Sequence, residues 1–270
     1  MKILLNKNDL NEALLGVSNL GFIPTMGSLH RGHISLIKKS LKECNKTIVS
    51  IFINPTQFNN KQDFKRYPKN YKKDLFILKK LGVNLVFLPH KKEIYNYKRK
   101  SKIRLNKKDM ILCAKYRKGH FEGVIDVMDR FTKIIKPNKI FMGEKDFQQL
   151  CLVKKYIEKR YKSKIISCKT IRDRNKLVLS SRNLLLKKKE LIKAGKITQN
   201  VFNIKKKLIK TTNKNKELTI LKNRIAKLYD IKIEYFELRN KFNLRITNKL
   251  KDSKIFISYY LNKVRLIDNI

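Results

Sequence analysis

Two histidines with two residues between them, His30 and His33, bracket Gly32 in the run Ile23-Pro24-Thr25-Met26-Gly27-Ser28-Leu29-His30-Arg31-Gly32-His33. An imidazole N–H can donate a hydrogen bond to negative charge that develops during attack at a phosphorus centre. Gly27 and Gly32 can let the backbone approach a ligand closely. The run lies where an apolar stretch gives way to helical spacing, so the histidines fall at a helix N-terminus, whose free N–H groups and dipole favour phosphate. The same residues also fit a glycine-containing turn whose histidines only cap a helix. Taken alone, the tetrapeptide H-x-G-H favours that plainer reading.

The surrounding chain must position this run. Residues 20–24 form a short apolar stretch, and residues 33–44 carry Ile34, Ile37, Leu41 and Cys44 at helical spacing. Residues 47–53 are largely β-branched and apolar, as expected of a strand covered on both faces. Helical and strand-like patterns continue to alternate: a helix over 71–81, a strand over 83–88, a helical face from Val124 to Ile135, a strand over 139–142, a helix over 146–161 and a strand over 165–171. Such alternation predicts an α/β fold, a Rossmann-like parallel sheet with helices on both faces. Its first strand would deliver the histidine run to the carboxyl edge, where open parallel sheets bind ligands. Beyond about residue 175 the texture changes to Lys-rich helices over 186–210 and 217–229, then strands over 231–238, 254–261 and 264–267, with 211–217 as an exposed loop. This predicts a Rossmann-like domain over residues 1–172 and a smaller α+β C-terminal domain over 173–270, expected to act as a lid.

The chain has 270 residues, 66 Lys and Arg against 21 Asp and Glu, and a formal net charge of +45. Clustered cations would point to nucleic acid or an anionic membrane. Here the lysines punctuate apolar repeats throughout, as at Lys38-Lys39, Lys72-Lys73 and Lys205-Lys206-Lys207, which fits a compositional bias spread over solvated faces. No nucleic-acid-binding motif accompanies them, so no specific nucleic-acid partner is expected. The four cysteines show neither CxxC pairing nor metal-ligand spacing, which suits a reducing compartment. No apolar run reaches the roughly 18 residues of a membrane span, so no membrane association is expected. A cytoplasmic protein is the expectation.

The histidine run resembles the HxGH signature of a nucleotidyltransferase superfamily, and further blocks in order resemble the pantothenate synthetase (pantoate–β-alanine ligase) family. These are Val49-Ser50-Ile51-Phe52-Ile53-Asn54-Pro55-Thr56-Gln57-Phe58, Tyr67-Pro68-Lys69, Arg117-Lys118-Gly119-His120-Phe121-Glu122-Gly123-Val124, Phe141-Met142-Gly143-Glu144-Lys145-Asp146-Phe147-Gln148-Gln149-Leu150 and Leu179-Ser180-Ser181-Arg182-Asn183. A weaker echo stands at Arg265-Leu266-Ile267-Asp268-Asn269. The resemblance implies that the carboxylate of pantoate attacks the α-phosphorus of ATP, giving pantoyl adenylate and pyrophosphate. The amine of β-alanine then displaces AMP.

The roles that follow are those the resemblance implies. Met26, Gly27, Ser28, Leu29, His30, Arg31, Gly32 and His33 would form the ATP cradle, with His33 the catalytic acid and His30 its partner. Gly143, Glu144, Lys145 and Asp146 would bind ATP, the ammonium of Lys145 toward phosphate and Asp146 toward ribose. Backbone near Ile171 would read adenine. Leu179, Ser180, Ser181 and Arg182 would close on the phosphates, Arg182 as a bidentate cation. Lys145 and Arg182 join the histidines as catalytic residues, while Gln57 and Gln149 would hold pantoate through their amides. Mg²⁺ would accompany ATP, held by phosphates and water, with Asp74 a candidate for a nearby contact. No direct protein metal ligand set is implied, and a homodimer is expected.

Read without the family, Lys145 and Arg182 are two cations among many, Gln149 could face water, Asn54-Pro55 is an ordinary strand-exit turn, and His120 reads as a structural histidine. Three positions depart from the family pattern. Asn175-Lys176 replaces an Asp-Gly turn, where Lys is a poor substitute for Gly. Asp126 replaces Thr within a helix and needs a cation or water. Lys69 replaces Arg and loses its planar fork. The alternatives to the ligase are another HxGH-type nucleotidyltransferase with a different acceptor and a basic nucleic-acid-binding protein.

Overall fold

In a computed structural model, residues 1–95 and 103–270 are described. The chain divides into two compact units, Met1–Lys169 and Thr170–Ile270.

The first unit is built on six parallel strands. In chain order its elements are β1 (Lys2–Leu4), α1 (Lys7–Ala13), β2 (Leu20–Thr25), α2 (Arg31–Glu43), β3 (Lys46–Ile51), α3 (Lys61–Arg66), α4 (Tyr71–Lys80), β4 (Leu85–Phe87), α5 (Lys91–Ile94), α6 (Leu112–Tyr116), α7 (His120–Ile135), β5 (Lys139–Gly143), α8 (Phe147–Val153) and β6 (Lys164–Cys168). The strand order is β1-β4-β3-β2-β5-β6. Successive residues on each strand serve opposite faces. Ile23, Val49, Val86 and Phe141 join Leu36 and Ile37 of α2 and Leu78 of α4 in one core. On the other face, Phe22 and Phe87 meet Phe131 of α7 with ring centroids 5.6 and 6.2 Å apart. Both faces are therefore covered, as the near-continuous apolar strands predict. The sequence pattern missed β1 and α1, because only Leu4 and Leu10 of these short elements are buried. The helix expected over 146–161 ends at Val153 and continues as one widened π turn over Lys154–Glu158.

The second unit packs α9 (Lys188–Lys207) and α10 (Lys214–Leu228) on an antiparallel sheet of β7 (Lys232–Asn240), β8 (Ser253–Leu261) and β9 (Val264–Asn269). The loop expected over 211–217 is shorter, because the Asn213 side chain accepts from the Lys216 N–H and caps α10 from residue 214. Before α9, Arg172 and Val178 bridge in antiparallel fashion around a tight turn. Lys176 sits there at φ +68°, the left-handed conformation that favours the Gly of the family pattern. The Asp173 carboxylate offsets some of that strain by accepting from Asn175 and Leu177 N–H at 2.8 and 2.9 Å. Arg172 also grips Asp268 of β9 through both guanidinium Nη atoms, at 2.6 and 2.8 Å. The terminal Arg-Leu-Ile-Asp-Asn block thus ties the last strand to this turn.

The two other departures from the family pattern have local partners. Asp126, 6% exposed, is paired by Arg130 one helical turn later, with Nε 3.1 and 3.0 Å from its two oxygens. Lys69 lies over the Phe64 ring at 5.6 Å. Because a left-handed backbone costs a non-glycine residue roughly 1–2 kcal/mol, Lys176→Gly is expected to stabilise the protein by about 1 kcal/mol. A shifted urea midpoint at unchanged m-value would measure it.

Candidate active site

Strand order reverses between β2 and β5: β3 and β4 follow on one side of β2, and β5 and β6 on the other. At such a switch point, the loops leaving the carboxyl ends diverge and leave a crevice. The loop after β2 carries residues 26–30, and that after β5 carries Glu144, Lys145 and Asp146 in a single 3-10 turn.

The β2 loop closes on itself. Gly27 takes φ +82°, and a Cβ there would stand 2.9 Å from Asp74 Oδ2 and 3.0 Å from Ile51 Cγ2, so both conformation and space require glycine. Ser28 follows at φ +54°. The Gly27 N–H donates to Thr25 Oγ1 at 3.1 Å, and the Ser28 and Leu29 N–H groups donate to the two oxygens of Asp74 at 2.7 Å each. Asp74 is 1% exposed, on α4. With both carboxylate oxygens accepting from backbone N–H groups, it is a loop anchor.

His30 is the N-cap of α2. Its Nδ1 accepts from the Gly32 N–H at 3.1 Å, and His33 Nδ1 accepts from the His30 N–H at 3.3 Å, closing a reciprocal capping box. Gly32 leaves the His30 ring room to hold this position, since a Cβ there would lie 2.7 Å from His30 Cε1. The plainer reading of the histidines as caps is therefore correct, and it has a chemical consequence. An Nδ1 that accepts a hydrogen bond leaves the proton of the neutral ring on Nε2. The rings stack with centroids 4.0 Å apart. Burial, with the positive charge of Lys145 adding to it, lowers the His30 pKa to about 4, against a weaker opposing pull from Asp146. Burial also holds His33 well below the usual histidine range, helped by His30 and Lys145. Both rings are thus neutral donors through Nε2–H. The N–H groups of residues 27–30 and 32 have partners within the loop, α2 and α4, so this turn is not an open nest of phosphate-binding amides. Arg31 is exposed on the first turn of α2.

Lys145 is brought to the histidines and donates to Asp146 Oδ1 at 3.1 Å. Glu144 instead accepts from Ser167 Oγ at 2.9 Å. Gln57 lies on a short 3-10 turn, Pro55–Gln57, after β3. Its Nε2 is 2.9 Å from Met26 Sδ, and its Oε1 accepts from Asn54 Nδ2 at 3.1 Å. Asn54, 1% exposed, is no ordinary exit turn. Its amide also donates to Gly123 O at 3.1 Å, while its Oδ1 accepts from Tyr95 OH at 2.7 Å and Thr56 Oγ1 at 2.9 Å. Burial pushes the Tyr95 phenol up to about 12, so it stays a donor. Gly123 allows α7 to reach this turn, since a Cβ would fall 2.5 Å from Thr56 O. His120 is structural: it faces Gln57 O through Nδ1 at 2.7 Å and Arg117 Nη1 through Nε2 at 2.9 Å. The guanidinium can only donate, so the imidazole proton lies on Nδ1 and goes to Gln57 O.

Gln149 on α8 is partly buried, and among the described residues its amide has no hydrogen-bond partner. Its neighbour Gln148 is committed to Asp109 O and Ile111 O at 3.2 and 2.8 Å. In the second unit, Ile171 O accepts from the Leu179 N–H at 3.1 Å. Ser180 caps the 3-10 turn Ser181–Leu185, its Oγ accepting from Arg182 N at 3.3 Å, and Ser181 is 6% exposed. Sequence reasoning missed Asn54, Asp74 and the Arg117–His120 pair as organisers. The one available signal was a polar side chain inside an otherwise apolar pattern, as at Asp74 beside Leu75 and Leu78.

A parallel α/β sheet whose switch point carries an H-x-G-H turn beside a lysine defines a nucleotide-binding enzyme of the HxGH class. The chain matches the family Pantoate-beta-alanine ligase over residues 3–270. It is 39% identical over 280 residues to a pantothenate synthetase of Azobacteroides pseudotrichonymphae genomovar. CFP2, covering 100% of this chain and 99% of that one. It is 37% identical over 270 residues to that of Flavobacterium psychrophilum, covering 98% and 95%. Among solved structures it resembles the pantothenate synthetase of Thermus thermophilus, with TM-score 0.91, 25% identity and coverage of 100% and 99%. It also resembles the Francisella tularensis pantoate-beta-alanine ligase complexed with beta-gamma ATP and beta-alanine, with TM-score 0.86, 36% identity and coverage of 100% and 97%. The chain belongs to the pantoate–β-alanine ligase family. Its activity is the ATP-dependent condensation of pantoate with β-alanine to pantothenate through pantoyl adenylate, releasing AMP and pyrophosphate.

The lowered histidine pKa values have a stability consequence. The unfolded chain binds protons with histidine pKa near 6.5, whereas folded His30 does so only near 4. Stability from this pair is therefore full above 6.5 and is lost as pH falls toward 4. Urea melts between these limits should show it, and His30→Gln should flatten the slope as pH falls from 6.5 toward 4.

Proposed function

We propose the following division of labour for the ligation. The carboxylate of pantoate attacks the α-phosphorus while the neutral Nε2–H groups of His30 and His33 and the ammonium of Lys145 stabilise the charge that develops on the α-phosphoryl oxygens. His33 acts as a fixed hydrogen-bond donor rather than as an imidazolium acid. The observation that carries this reading is the pair of Nδ1 acceptor bonds, 3.1 and 3.3 Å, which leave both Nε2–H groups for a ligand. Met26, Gly27, Ser28, Leu29, Arg31 and Gly32 serve ATP mainly by shaping this turn. Gly143, Glu144 and Asp146 frame the nucleotide beside Lys145, with Asp146 toward ribose. Gln57 and the uncommitted amide of Gln149 hold pantoate. Backbone at Ile171 and Leu179 serves adenine and phosphate, and Ser180, Ser181 and Arg182 donate to phosphate.

Adenylation turns a poor acyl donor into one with a good leaving group, and the amine of β-alanine then forms the amide as AMP departs. Magnesium enters as the MgATP substrate, held by phosphates and water. The +45 charge steers these anionic substrates toward the protein. A cytoplasmic location fits four free cysteines and helices none of which, among the described residues, is long and apolar enough to cross a membrane. A homodimer follows from the family resemblance, and sedimentation equilibrium would measure it.

A coupled AMP assay omitting each substrate in turn tests the reaction. Pyrophosphate should need ATP and pantoate, and AMP release in step with pantothenate should need β-alanine as well. His33→Ala should lower the pantoate-dependent rate by about 10²–10³-fold, the usual loss for one oxyanion donor. Retention within a few-fold would remove His33 from the mechanism.

A further inference from the structure

We infer that Asp74 is a positioning residue for adenylation, acting through the two backbone N–H groups that precede His30. This deepens the proposed role of His30 and His33 and rests on it. The carboxylate is 1% exposed, and its oxygens accept from consecutive amides, Ser28 and Leu29, at 2.7 Å each. Its position also sets the need for glycine at 27, whose Cβ would meet Oδ2 at 2.9 Å. The loop it grips is unusual, with Gly27 and Ser28 both at positive φ, +82° and +54°. A serine in that conformation is strained, and charge-assisted bonds to the Ser28 and Leu29 amides are what hold it there. The next residue is His30, whose own N–H is the donor to His33 Nδ1. A shift of the backbone at 28–29 therefore moves both the N-cap ring and the donor that fixes the His33 tautomer.

The Tyr67-Pro68-Lys69-Asn70 segment finds its use here. Tyr67 packs edge-on against Phe58 with centroids 5.7 Å apart, and the Asn70 side chain accepts from Lys73 N at 3.1 Å to start α4. Leu78, fully buried, pins the same helix to the sheet. Asp74 thus reaches the loop from a helix anchored at its start and in its middle, and the Asp74 N–H itself closes on Asn70 O at 2.9 Å.

The test compares wild type with Asp74→Asn, in which one oxygen becomes a donor facing a donor. The expected result is a fall in kcat for pantoate-dependent pyrophosphate release of about 10²-fold, the cost of misplacing a reacting group by about 1 Å. KM for MgATP should change by no more than a few-fold, and added Mg²⁺ should not rescue the rate. The ¹⁵N spectrum of the His30 and His33 side chains should lose the wild-type pattern of accepting Nδ1 and protonated Nε2. That spectrum is read without turnover, so it reports on Asp74 even if His33→Ala retains activity and the histidine mechanism fails. Unchanged imidazole signals, a kcat within a few-fold of wild type, or recovery at high Mg²⁺ would each overturn the inference. Should the variant not fold, the wild-type amides decide: Ser28 and Leu29 protons should be shifted downfield and protected from exchange, and freely exchanging amides would refute the anchor.

Discussion

Each imidazole of the H-x-G-H turn gives its Nδ1 lone pair to a backbone N–H at the start of α2, and the rest of the site follows from that commitment. The cap satisfies donors that any helix start leaves open. It also decides which nitrogen keeps the proton, and burial beside Lys145 keeps both rings neutral. A residue pair that reads locally as ordinary capping thereby becomes a pair of aimed donors. Structural and chemical readings of His30 and His33 are the same interaction seen from the two sides of the ring.

That arrangement is held from beneath by buried polar contacts. Thr25 and Asp74 take the loop N–H groups, Asn54 gathers Gln57, Thr56, Tyr95 and Gly123, and the Arg117–His120 pair holds the Gln57 carbonyl. Such networks cost stability when one member is lost, because the remaining groups stay buried without partners. They also fix position more tightly than apolar packing does, which matters where the chemistry is mainly alignment and electrostatics.

The charge distribution follows the same division. With 66 basic and 21 acidic residues, the cations are in large excess, yet the acids Asp74, Asp126, Asp129 and Asp268 are all buried. Each has a defined partner: loop amides for Asp74, and Arg130, Arg160 and Arg172 for the others. These few acids organise the interior, and most of the lysines that interrupt the apolar repeats face solvent. Asp126, a departure from the family pattern, joins this set because Arg130 lies one helical turn away, where side chains on a helix meet.

The sequence by itself determined the α/β class, the parallel sheet and the place of the H-x-G-H turn at the carboxyl end of a strand, because strand and helix periodicities are local and the family blocks are contiguous. It also pointed to Lys145, Gln57 and Gln149 through the company they keep in those blocks. Only the tertiary structure decided that Lys145 stands beside the histidines, since strand order, not chain order, makes β2 and β5 neighbours. It alone made Asp74 a loop anchor and Asn54 a hub, because both act on atoms distant in sequence. Spacing also could not say which imidazole nitrogen keeps its proton. That is settled by a hydrogen bond, and a hydrogen bond exists only once the backbone has taken its path.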